Sequence, residues 1–270
     1  LSKNNGSVHF LSYAKWGQIF LDFLCAVNIK TSKKMETFIS GMPVWAILLF
    51  SVSFVLSLGL IARPARQAAL HSGLTVEKSR RIGAGIILFY VLWLGYASVL
   101  SLKGVFTVNA LPPRIFVFTT VPLFILLFGF VGNTGLFKRL LRSASLESLI
   151  FLHVFRVLGI FFFILYWYGL LDLRFAISAG LGDIITAILA VPVARAVAQK
   201  KSWSIKAVYA WNIIGMMDIV TLMTIAIINA IRSSGGETEM GLFPFAWFPA
   251  FAPATILFLH VAVFRKLRQK

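Results

Sequence analysis

Apolar residues along this chain come in solid blocks, separated by short segments rich in Lys, Arg, Gly and Pro. The blocks fall at about 43–62, 82–102, 115–132, 148–170, 175–196, 206–231 and 244–264. A helix rises about 1.5 Å per residue, so about 20 apolar residues cross a hydrocarbon core about 30 Å thick. Strands of a membrane barrel would show alternation instead. The pattern predicts an all-α polytopic transmembrane helix bundle of about seven spans. Pro122 in the third span and Pro249 and Pro253 in the seventh predict kinks, and a tight turn around Leu171–Arg174 joins the fourth and fifth.

Composition agrees. Of 270 residues, 59% are hydrophobic, against about 45–50% in soluble domains, and the mean hydropathy is +0.87. The net charge of +17 raises the question of nucleic acid, but its distribution argues against that. Sixteen Lys and Arg lie in 63–81, 133–147, 195–206 and 265–270, all on one side of the predicted bundle. The opposite loops carry only Lys103, Arg114, Arg174 and Arg232. The positive-inside rule then puts the C-terminus in the cytoplasm and the start of the first span outside, in a bacterial inner membrane. Membrane lipids with anionic headgroups on the cytoplasmic side are the expected partners of these charges. The longest cytoplasmic loop, 63–81, has about 19 residues. KRLLRSASLESL at 138–149 is basic and amphipathic, as expected of an interfacial helix before the fourth span. Phe245, Trp247 and Phe248 suit an outer aromatic belt, and Trp203 an inner one.

Residues 1–34 depart from the pattern. They hold five lysines, no methionine, and one short apolar stretch at about 16–27 broken by Asp22. That is too short for a span and a poor signal peptide. The expectation is that translation begins at Met35, so that 1–34 is an extension and 35–270 the seven-span domain; the alternative is an interfacial amphipathic anchor. The one cysteine, Cys25, lies in this segment, so no disulfide forms within the chain.

Charged residues are absent from the first three spans and present in the last four, which contain His153, Arg156, Asp183, Asn212, Asp218 and His260. Ionisable groups inside a membrane are costly, and they face the bundle interior and pair. Counted along their helices, Arg156, Asp183 and Asp218 all fall near mid-depth. A buried ion pair between Arg156 and either acid follows. Two acids against one arginine leave a surplus negative charge, which a proton or a bound cation would balance. The other outcome is a cluster that only locks helix packing. Ala176/Gly180 and Ser178/Gly182 are small-xxx-small pairs that place Asp183 beside a close helix crossing. Asn212, Gly215, Asp218 and Thr221 form an i, i+3 stripe on the sixth span.

His153 and His260 lie at similar depth near the cytoplasmic ends of their spans. Each suits a hydrogen bond to a carbonyl or a lipid phosphate; axial ligation of a haem b is the alternative, and no other cofactor is expected. The histidines are too few for a metal cluster. No P-loop, dinucleotide fingerprint or HExxH motif is present. No span holds the lysine that a retinal Schiff base requires, which excludes a photoreceptor of that kind.

LHVFRVLG (152–159), AGLGDI (179–184) and WNIIGMMD (211–218) resemble a family of uncharacterised bacterial multi-span membrane proteins, over about 148–265. That resemblance implies no activity. Gly180-Leu181-Gly182-Asp183 also resembles the GxGD motif of intramembrane aspartyl proteases. It implies Asp183 and Asp218 as a catalytic pair sharing a proton. The departures are plain: Asp218 follows the motif where the family's partner acid precedes it, Met217 stands where the family has tyrosine, and Pro253-Ala254-Thr255 replaces PAL.

The leading expectation is transport or small-ligand or ion binding at Arg156, Asp183, Asn212 and Asp218, with His153 and His260 nearby. The alternatives are a GxGD-type protease and a structural or sensory subunit. A water-accessible cavity at the acids would mark the first, facing carboxylates free of Arg156 the second, and a dry, fully paired cluster the third.

Overall fold

The structure is a computed structural model that describes residues 42–108, 110–232 and 238–269. The expectations for residues 1–34 and for Met35 lie outside them. Among the described residues the chain is all helical, with eight helices and no strand. Seven of them are long and apolar enough to cross a membrane: α1 (Val44–His71), α2 (Val76–Leu102), α3 (Phe116–Asn133), α5 (Leu146–Trp167), α6 (Leu173–Ala198), α7 (Ser204–Arg232) and α8 (Trp247–Leu267). Between α3 and α5 lies the short amphipathic α4 (Gly135–Ser143).

The seven expected spans are all present, but the connections are tighter than expected. α1 runs past Arg63 and through Pro64 to His71, and α2 starts at Val76. The expected 19-residue loop is therefore a turn of four residues, Ser72–Thr75, in which Gly73 takes a positive φ of 83° and Thr75 caps α2 by accepting from the Lys78 N–H. Helices need not stop where the hydrocarbon stops, because exposed basic residues favour helix nearly as well as leucine. The expected turn at Leu171–Arg174 is built by Asp172, whose carboxylate accepts from the N–H groups of Arg174 (2.8 Å) and Phe175 (3.1 Å). The interfacial helix expected over 138–149 ends at Ser143, and Ser145 caps a new start at Leu146.

α3 is irregular around Pro122, with wide π turns over Phe116–Thr120 and Ile125–Phe130. Proline takes a donor from the ladder; the carbonyl of Phe118, four residues earlier, accepts from the Tyr96 hydroxyl. Pro253 lies inside α8, whereas Pro249 falls in its first turn, where proline needs no kink.

α8 is the central helix, packed against α2, α3, α5 and α7, while α1 packs against α2, α4 and α5, and α6 lies between α5 and α7. The aromatic belt expected at the start of α8 is instead core. Phe245, Trp247 and Phe248 are buried, with Phe50 of α1 in ring contact with all three, and the Trp247 indole donates to Ser98 Oγ at 2.8 Å. Rings packed on rings bury their apolar faces, and the indole N–H finds its acceptor inside the bundle instead of at a headgroup. Trp203, at the other end of the bundle, is exposed.

Candidate functional site

The polar residues of α5–α8 converge on Arg156. Its local setting is unusual: over Leu152–Gly159, α5 tightens into a 3-10 helix of eight residues. Such runs seldom exceed three or four residues, and a stretch inside a longer helix marks strain or a hinge. Three residues per turn put His153, Arg156 and Gly159 directly above one another, and all three are buried, while Phe151, Val157 and Ile160 form the exposed edge.

Arg156 is 1% exposed and uses its whole guanidinium. Nε donates to Asp183 Oδ1 at 2.6 Å and Nη2 donates to Asp218 Oδ2. Nη1 lies 3.3 Å from the Gly215 carbonyl, to which it donates, and 3.1 Å from His260 Nε2. With Nη1 donating, His260 accepts through Nε2 and donates from Nδ1 to Asn212 Oδ1 at 2.8 Å. Asn212 Nδ2 closes the loop by donating to the His260 carbonyl at 3.1 Å. One network thus ties α5, α6, α7 and α8 together. An arginine suits this place because its planar fork serves several acceptors at once and stays charged when buried.

Glycines make the approach possible. A Cβ on Gly159 would come within 2.6 Å of Asp183 Cβ, and one on Gly180 within 2.9 Å of the Gly159 carbonyl. A Cβ on Gly182 would fall on the Asp218 carboxylate, and one on Gly215 would meet the His260 ring at 2.5 Å. Both glycines of the GLGD stretch therefore serve close packing. A GxGD-type dyad shares a proton between facing acids, whereas here each carboxylate is joined to Arg156.

His153 and His260 touch each other, their ring centroids 4.2 Å apart. Rings in contact leave no space between them for a macrocycle, and Nε2 and Nδ1 of His260 are both within hydrogen-bond reach of a neighbour. The pair does not fit axial haem ligation. His153 is fully buried, its two ring nitrogens have no hydrogen-bond partner among the described residues, and it stands edge-on to Trp211 at 5.0 Å. Trp211 in turn donates to the Thr186 carbonyl at 2.9 Å. The sequence reading missed Trp211 and Thr186. The signal was faint: Thr186 lies three residues beyond Asp183, and Trp211 directly precedes Asn212.

The stripe on α7 is only partly as expected. Asn212 and Gly215 are buried and Asp218 nearly so, but Thr221 is exposed and Ile219 takes the inward position. Each step of three residues lags a full α-helical turn by about 60°, so an i, i+3 row winds off the buried face.

Asp183 also lines a cavity of about 80 Å³. Its other walls are apolar, including Phe162, Phe175 and Phe248, Met223, and Pro249 and Pro253 of α8. A single water needs about 10–15 Å³ by the same measure. Asp183 is the one ionisable side chain among its described walls.

No curated protein and no solved structure matches the chain. The family model described as Domain of unknown function (DUF8737) matches residues 112–268. The match starts ahead of α3, earlier than the 148 expected from the sequence patterns, and takes in α3–α8 and every residue of the Arg156 network. With more than half of its length matched, the chain belongs to the DUF8737 family.

Proposed function

We propose that the chain is a membrane transport protein whose α5–α8 bundle binds and releases one proton at Asp183 and Asp218. The observation that carries this is the bridging of two acids by Arg156 beside the cavity that Asp183 lines. One guanidinium against two carboxylates leaves one negative charge to balance, and a buried acid in that condition takes up a proton. Asp218 is the exchangeable partner in this reading, because its side chain is 11% exposed against 6% for Asp183. Arg156 then swings between a shared and a single acid. The 3-10 turn that carries it is the element that responds. The basic end of the bundle faces the cytoplasm in this account, following the Lys and Arg bias.

The test is proton flux in proteoliposomes holding an internal pH dye, driven by a potassium diffusion potential. Wild-type protein should raise flux above that of protein-free liposomes, and Asp218→Asn should abolish the increase. No flux in the wild type, or equal flux in Asp218→Asn, overturns the proposal.

A further inference from the structure

A second feature lies away from the Arg156 network, at the basic end of the bundle. There α2 and α3 stand apart, and a groove of about 510 Å³ opens between them. Its floor is α8, through Phe258 and Leu259; its walls include Ile86 and Phe89 of α2, Leu126 of α3, and Leu140 of α4. The size is that of a small-molecule pocket, but the lining is almost wholly apolar. Gly85 sits on the wall with no atom within 4 Å of the place a Cβ would occupy.

The charge around this groove is one-sided. On α4, Leu136, Phe137, Leu140 and Leu141 line the groove while Lys138, Arg139 and Arg142 are exposed. Arg66 follows the lining residue Ala65 and rests against Gly83. Arg139 donates to the Ser72 carbonyl and so ties α4 to the α1–α2 turn. Glu77, the acid on the first turn of α2, is paired with Arg81. The side chains of Arg66, Lys138 and Arg142 make no hydrogen bond or ion pair among the described residues. An apolar slot at membrane depth, with three uncommitted cations on the helices α1 and α4 that help wall it, has the two halves of a lipid site: room for an acyl chain and charge for a headgroup.

We propose that this groove binds one anionic phospholipid, its acyl chain between α2 and α3 and its phosphate held by Arg66, Lys138 and Arg142. The lipid covers the gap that the splayed helices leave and braces α4 against α8. The site is independent of the Arg156 network, so its test does not depend on any transport activity.

The experiment is thermal unfolding of the delipidated protein in detergent, titrated with phosphatidylglycerol, with phosphatidylcholine of the same chains, and with inorganic phosphate. Ligands that bind only the folded state raise its melting temperature saturably. Phosphatidylglycerol should do so, with one lipid retained in native mass spectra; phosphatidylcholine and inorganic phosphate should not. Lys138→Glu with Arg142→Glu should weaken the phosphatidylglycerol response at least tenfold. Gly85→Leu, which fills the groove and leaves every cation in place, should weaken it equally while keeping or raising the melting temperature without lipid. Equal stabilisation by both lipids, a full response to phosphate alone, or a response that survives either variant overturns the proposal.

Discussion

Replacing Arg156 by leucine would leave the Asp183 and Asp218 carboxylates without their partner in the bundle interior. Leucine is apolar and shorter, and Arg156 is fully buried, so nothing from solvent replaces the guanidinium. The side chain makes two ion pairs and also reaches the Gly215 carbonyl and His260. Breaking a buried pair from one side costs about 3–5 kcal/mol, because the remaining charge is stranded. At about 2–4 °C per kcal/mol for a chain of this size, the melting temperature in detergent should fall by about 6–20 °C. The same reasoning requires recovery. Asp183→Asn and Asp218→Asn, added to Arg156→Leu, remove the stranded charges and should restore at least half of the loss. The assay is thermal unfolding followed by fluorescence-detected size exclusion on the single, double and triple variants. A fall below about 2 °C in Arg156→Leu, the scale of an ordinary surface change, or no recovery in the triple variant, would refute the idea that Arg156 is held by these acids.

Other outcomes follow from the packing. Gly182→Ala should displace the Asp218 carboxylate and mimic Asp218→Asn in proton flux, while Gly59→Ala and Gly95→Ala, which lie inside helices and meet nothing within 4 Å, should leave flux unchanged and hold or raise the melting temperature. Gly215→Ala should push the His260 ring away from Arg156 and lower the melting temperature by several degrees. Tyr90→Phe and Thr255→Val each remove one side of a buried 3.2 Å hydrogen bond; each should cost about 1 kcal/mol, and the double variant less than the sum of the two, by chemical denaturation. Trp247→Phe should cost a similar amount by losing its bond to Ser98, and an unchanged midpoint would return Trp247 to the lipid interface.

The spans were legible because hydropathy and length are properties of the chain itself, set by the bilayer's thickness. So was the pairing of Arg156 with an acid at its depth, since buried charge must find its opposite; that one guanidinium takes both Asp183 and Asp218 was not. The contribution of His260 was harder to see. Its Nε2 reaches Arg156 only because the missing Cβ of Gly215 lets α7 and α8 close up, and the sequence does not show which helix a glycine faces. The eight-residue 3-10 turn was equally hidden, for LHVFRVLG has no proline or paired glycines to announce it. Phe245, Trp247 and Phe248 misled because an aromatic cluster at a helix start reads the same whether it faces lipid or Phe50. The apolar groove beside α4 was invisible for another reason: it is a gap between helices, and gaps have no residues of their own.

The most direct test of the central claim is the infrared difference spectrum of the purified protein across a pH jump, in the carbonyl region of protonated carboxylic acids. A site that binds and releases a proton at its acids predicts a protonated-carboxyl band in the wild type that disappears in Asp218→Asn and persists in a Glu77→Gln control. A spectrum with no such band, or one identical in Asp218→Asn, would contradict the claim and leave Arg156 and its two acids as a structural clasp among α5, α6 and α7.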